Sequence, residues 1–195
     1  MIFQPYSRTI KNTDLTIKEP RYYQVAAINA AIEAIAREQK RILITMATGT
    51  GKTFVALQIA WKIWKPAKTK PRILYLVDRT FLLEQARDDY FKKVFGQAIS
   101  GIKEKVTGDI VKSRDVYFSL YQGISDRKEA EGVYKKYSPD FFDYVIIDEC
   151  HRGSAKDDGN WRAILDYFQS AVHIGMTATP RSKDTINTYR YFKKP

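Results

Sequence analysis

The sequence is poor in residues that cross-link or chelate. Cys150 is the only cysteine, so no disulfide can form within the chain and no cysteine cluster can hold zinc. The histidine pool is His151 and His173 alone, so His151 has one possible histidine partner for a metal, and a hydrogen-bonding role suits it better. No apolar run approaches the roughly 20 residues that cross a bilayer. The opening MIFQPYSRTIKN has no hydrophobic export segment. A lone thiol makes a cytoplasmic location the simple expectation. Internal repeats and low-complexity tracts are absent. Acids are also scarce: 22 Asp and Glu stand against 33 Lys and Arg, a net charge of +11. That imbalance favours phosphate-rich partners by long-range attraction, without identifying them.

What is present fits one α/β domain. A length of 195 residues can bury a sizeable core but is short for two domains. Residues 1–19 are polar and irregular, and read as an N-terminal arm or a linker from an upstream domain. Val25, Ile28, Ile32 and Ile35 recur at helical spacing and predict a helix over 23–40. Apolar runs predict strands at 42–46, 72–77, 116–119, 144–147 and 172–176, with a weaker one within 101–107. Helices are expected at 54–64, at 81–92 capped by Thr80, and at 161–168. The stretch 125–137 is dense in charge and reads as water-facing. Unbroken apolar strands alternating with helices indicate a mostly parallel sheet with helices on both faces.

The segment MATGTGKT at 46–53 carries the tail of a phosphate-loop pattern between a predicted strand and a predicted helix. Gly49 and Gly51 permit a tight turn whose N–H groups converge on phosphate oxygens, with Thr48 and Thr50 between and beside them. The helix N-terminus adds a favourable dipole. Lys52 can reach the β- and γ-phosphates, and the Thr53 hydroxyl can bind magnesium. Met46 stands where the general pattern has glycine.

Such a site needs an acid for the metal. The strand entering VIIDECH places Asp148 and Glu149 at its C-terminal end, where ligands sit in open parallel sheets. Asp148 is expected to hold magnesium, and Glu149 to orient and deprotonate the attacking water. Together with Lys52 they supply most of what phosphoryl transfer requires. Cys150, next in sequence, reads as a small packing residue.

These residues resemble superfamily 2 helicases and translocases, from Arg21 to Pro180. Arg21-Tyr-Tyr-Gln24 looks like the motif that reads adenine there, so the resemblance implies an adenine contact for Gln24. Gly49–Thr53 is similar to helicase motif I, Asp148–His151 to the DExH form of motif II, and Thr177–Thr179 to motif III. His151, Thr177 and Thr179 would then couple nucleotide state to the grip on nucleic acid. The chain resembles most the motor of the restriction subunit of type I restriction-modification enzymes, through MATGTGKT, LVDRTFLLEQA and IGMTATP with its continuation to Phe192. LVDRTFLLEQA corresponds to motif Ia, with Arg79 and Thr80 as backbone contacts. Ser119 and Gln122 are further candidates facing nucleic acid.

The resemblance implies a RecA-like P-loop NTPase fold using ATP and Mg2+, with residues 20–180 as the first motor domain and 181–195 starting a linker to a second. It implies an ATP-dependent translocase of double-stranded DNA, working with modification and specificity subunits. In that family a second motor half supplies an arginine finger, so this stretch alone is expected to be nearly inactive. Another superfamily 2 DNA helicase, such as a repair enzyme, shares the same motifs. A non-catalytic nucleic-acid module and a metabolic kinase are the rivals of other classes. Among smaller features, Trp61 and Trp64 read as packing residues. The five bases of the run 62–72 can face either solvent or DNA backbone. Lys103, Lys105, Lys112 and Arg114 form a second basic group.

Overall fold

The five clear apolar runs become strands, and all of them run the same way. The computed structural model describes residues 4–101, 112–120, 124, 133–148, 158–178 and 191–192. Its main elements are α1 (Tyr22–Ala36), β1 (Arg41–Thr45), α2 (Lys52–Trp64), β2 (Ile73–Val77), α3 (Thr80–Glu84), a π-helical stretch (Gln85–Phe91) and α4 (Lys92–Phe95). β3 (Ile99–Gly101), β4 (Val116–Leu120), β5 (Tyr144–Asp148), α5 (Asp158–Tyr167) and β6 (Val172–Thr177) complete the order. The strands lie in space as β1-β6-β5-β2-β4-β3, parallel at every pairing.

β2 shows why its sequence is apolar throughout. Ile73, Tyr75 and Val77 enter one core cluster, while Leu74 and Leu76 enter the other. Alternate side chains of a strand face opposite sides, so a strand covered on both faces has no position for a polar side chain without a partner. The first cluster joins the sheet to α1, α2 and the helical run that includes Phe91 and Phe95. The second places Phe142, Ile164, Leu165 and Phe168 on the opposite face. Among the described residues, no helix is long and apolar enough to cross a membrane.

Four details differ from the sequence-based expectation. α1 stops at Ala36, short of residue 40, and Glu38 then takes a left-handed φ of 60°. Thr80 is not the cap of its helix: Arg79 holds the extended cap conformation and Thr80 is the first helical residue. Third, β3 lies at the start of the weak-strand region, and residues 102–107 are outside the described set. Of the stretch expected to face water, 125–132 fall outside the described residues. Its end is buried: Val133 and Tyr137 enter the core, where burial pushes the Tyr137 hydroxyl up to about 12.

The segment read as a linking arm is docked. Gln58, fully buried on α2, accepts the Ser7 N–H at 2.8 Å and donates to the Ser7 carbonyl at 3.0 Å. Trp61 donates to Pro5 O at 3.2 Å and Lys62 to Gln4 O at 2.5 Å. These three side chains follow helical spacing, so one face of α2 satisfies an arm that pairs with no sheet. Burial lowers the affinity of the Lys62 ammonium for its proton. Gln58→Leu keeps the volume but strands two buried backbone groups, and unpaired groups of this kind cost about 1–3 kcal/mol each. A loss of about 2–4 kcal/mol in urea unfolding is expected; an unchanged midpoint would show that the arm contributes nothing.

Tyr191 and Phe192, placed by sequence in the linker 181–195, are also buried, in the second core cluster.

Candidate functional site

The glycine-rich turn is held in a shape that suits phosphate. Gly49 and Gly51 have φ values of 78° and 84°, a region glycine enters without strain. Gly51 is the N-cap of α2, so the loop opens directly into the helix N-terminus. Thr50 closes the turn by donating through its hydroxyl to Ala47 O at 2.6 Å. Thr48 and Gly49 remain exposed, while Lys52 is 8% exposed with Nζ 3.5 Å from Met46 O. The lysine therefore arches back over the loop. Thr53 is half-buried in the first turn of α2.

Gln24 lies against this loop. Its carboxamide donates to Thr50 O at 2.8 Å and accepts the Arg21 N–H at 2.9 Å, which caps α1. A Cβ on Gly51 would stand 2.7 Å from Gln24 Nε2. Glycine at 51 is thus required twice, by backbone conformation and by this close approach. Arg21 and Tyr23 are also neighbours, at 3.4 Å between guanidinium and hydroxyl.

The register of the sheet brings the acid to the same edge. Thr45 at the end of β1 pairs with Thr177 on β6, and Met176 pairs with Asp148 at the end of β5. Strand spacing then sets the backbones of β1 and β5 roughly 10 Å apart, close enough for one triphosphate and its metal to lie between their side chains. Asp148 is 5% exposed, and Tyr75 donates to its Oδ2 at 3.0 Å. The Tyr75 contact was not foreseen. Its only signal was a tyrosine inside an otherwise aliphatic strand, since a buried hydroxyl needs a partner. Thr177, fully buried, accepts the Met46 N–H at its carbonyl at 2.9 Å, joining the end of β6 to the first residue of the loop.

The glycines, the recessed ammonium, the Thr53 hydroxyl and the Asp148 carboxylate are a donor set that fits a magnesium-bound triphosphate. Magnesium takes few protein oxygens beside those of phosphate. When bound, it would neutralise charge between the β- and γ-phosphates.

The expected nucleic-acid contacts divide. Arg79 and Thr80 are exposed at the C-terminal end of β2, on the same edge as the loop. Arg79 Nε lies 3.5 Å from Asp78 Oδ2. Ser119 requires correction: it is fully buried in β4, between β2 and β3, and donates to Leu120 O at 3.2 Å. A strand covered on both faces cannot offer this hydroxyl to DNA. Gln122, Glu149, Cys150, His151 and Thr179 lie outside the described residues, as do Lys103 and Lys105.

Other expectations resolve on the opposite edge. His173 sits near the start of β6 with both ring nitrogens engaged, by Tyr191 OH at 2.7 Å and Phe168 O at 2.9 Å. Three basic residues of the run after α2 lie against aromatic rings, Lys65 and Arg72 while still exposed. Lys65 lies over Trp61, Lys70 over Trp64 and Arg72 over Phe141. Trp61 and Trp64 pack beside Phe95, and Trp64 donates to Asp115 at 2.8 Å.

Comparison with known proteins agrees with this geometry. The family described as type III restriction enzyme, res subunit (ResIII) matches residues 17–182. The chain is 48% identical over 179 residues to the type I restriction enzyme EcoAI endonuclease subunit of Escherichia coli, covering 91% of this chain and 21% of that one. A solved fragment described as an HsdR subunit of a type I restriction enzyme from Vibrio vulnificus YJ016 superposes with a TM-score of 0.70 at 42% identity. That match covers 100% of this chain and 31% of the other. The Type ISP restriction-modification enzyme LlaGI, solved with a DNA substrate mimic, gives a TM-score of 0.57 at 25% identity over 91% of this chain and 19% of that one. The chain thus spans about a fifth of the length of the EcoAI subunit. With parallel sheet, glycine loop and family match in agreement, the chain belongs to the ResIII family and has the RecA-like motor fold of superfamily 2 helicases.

Proposed function

We propose that this domain is the ATP-binding half of an ATP-dependent double-stranded DNA translocase, within the restriction subunit of a type I restriction enzyme. The observation that carries the reading is the shared edge: the glycine loop and Asp148 end strands separated only by β6. Likeness to the EcoAI subunit and to the DNA-bound LlaGI enzyme supports the biological setting.

In this reading the loop N–H groups from Thr48 to Thr53 cradle the phosphates, and Lys52 places positive charge where negative charge builds in transfer. Thr53 and Asp148 hold magnesium. Tyr75 fixes the rotamer of Asp148. Glu149 orients and deprotonates the attacking water, and Gln24 reads adenine. Arg79 and Thr80 contact DNA phosphates, and Gln122 is a further contact. His151, Thr177 and Thr179 relay the nucleotide state. Thr177 is bonded to the loop through its backbone, which supports that role. Modification and specificity subunits are the protein partners, and the cytoplasm is the compartment.

DNA-stimulated ATP hydrolysis by a complete restriction subunit carrying this domain tests the proposal. Wild type is expected to be stimulated by duplex DNA. Asp148→Asn keeps an acceptor for Tyr75 but removes the metal-binding charge, and should lower the rate on the order of 100-fold. No stimulation in wild type, or full activity in the variant, would refute the reading.

A further inference from the structure

The ammonium of Lys18 touches two helices at once. Its Nζ lies 3.2 Å from Tyr90 OH, 5.1 Å from the centre of the Phe54 ring and 5.3 Å from that of Tyr90. The two rings are 6.5 Å apart, with the cation serving both. Among the described residues Lys18 has no carboxylate partner, so the rings and the hydroxyl set its position. Each contact belongs to a different part of the machinery. Lys18 lies on the docked arm, and Phe54 follows Thr53 in the first turn of α2. Tyr90 belongs to the π-helical stretch that continues α3, whose first residue is Thr80.

We propose that Lys18 is a positioning residue that couples the nucleotide loop to the DNA-facing end of α3. This rests on the translocase reading above. A shift of the first turn of α2 carries Phe54 against the ammonium, and the ammonium carries Tyr90. The π-helical stretch makes the second step effective. Passing from π to α bonding changes register by one residue, and one residue turns a helix by about 100°. Residues at the head of the run, Arg79 and Thr80, would be re-aimed by such a change. Attraction between a cation and two aromatic faces is strong enough to hold one register and weak enough to release it.

The test compares wild type, Lys18→Met, Lys18→Arg, Tyr90→Phe and the Met/Phe double variant in a complete restriction subunit carrying this domain, with and without duplex DNA. Lys18→Met retains an apolar stem and should cut DNA stimulation about tenfold, leaving the DNA-free rate and the KM for ATP unchanged. Lys18→Arg should restore stimulation. Tyr90→Phe should reproduce part of the loss, and the double variant should be no worse than Lys18→Met alone. Unchanged stimulation overturns the proposal. So does a fall in all rates together with the melting temperature, which marks a purely structural lysine. Tyr90→Phe keeps the ring and decides the matter if Lys18→Met fails to fold. A wild type that DNA does not stimulate would instead defeat the translocase reading on which this proposal stands.

Discussion

Lys52→Ala is expected to lower ATP hydrolysis by a complete restriction subunit carrying this domain at least ~100-fold, the scale seen when one preorganised charge is removed from a reacting centre. The side chain is 8% exposed and arches back to Met46 O, so it is already poised over the turn before any phosphate arrives. Little reorganisation remains to be done at the moment of reaction. Alanine favours helix at the start of α2, so the fold should survive. Melting should therefore change little while turnover collapses. Hydrolysis at the wild-type rate would sink the assignment of this loop.

Acid should destabilise the domain through His173. The ring is buried, and loss of water pushes its pKa down from 6.5 to about 4. Nε2 faces the Phe168 carbonyl, which can only accept, so that nitrogen carries the proton and Nδ1 accepts from Tyr191 OH. The neutral ring satisfies both contacts; a second proton has no acceptor prepared for it. Between pH 6.5 and about 4 the unfolded chain gains a proton that the folded chain refuses. Stability is intact above that window and falls as pH drops through it, by roughly 3 kcal/mol in all. Urea unfolding at a series of pH values measures this. His173→Gln removes the titrating group and should flatten the slope relative to wild type. Parallel slopes for the two proteins would remove His173 as the cause.

Parts of this architecture that rest on local chemistry were legible in the sequence. Glycine spacing before Lys52 and Thr53 specifies a loop whatever surrounds it, and five apolar residues such as ILYLV specify a strand covered on both faces. Asp148 was legible as the residue that closes β5 because the apolar run stops there. What escaped depended on distant partners. Ser119 looked available because polarity in a strand suggests an open face, and only the packed fold shows core on both faces of β4. Basic residues after α2 left solvent and DNA backbone equally open, and nothing local announces the rings of Trp61, Trp64 and Phe141 beside them. The docked arm did leave a trace: Gln58 and Lys62 interrupt the apolar face of α2 one turn apart. Such interruptions mark places where a backbone without its own secondary structure is satisfied by a helix.

The two holds on the chain lie at different places on the molecule. Near the front, three side chains of α2 grip residues 4–7. Near the back, Tyr191 is clasped by His173 and by Arg41, whose guanidinium stacks 4.2 Å from its ring. Tension arriving along the polypeptide from either direction would be borne by these clasps and passed into α2 and the β1–β6 pair. The glycine turn takes part in neither clasp.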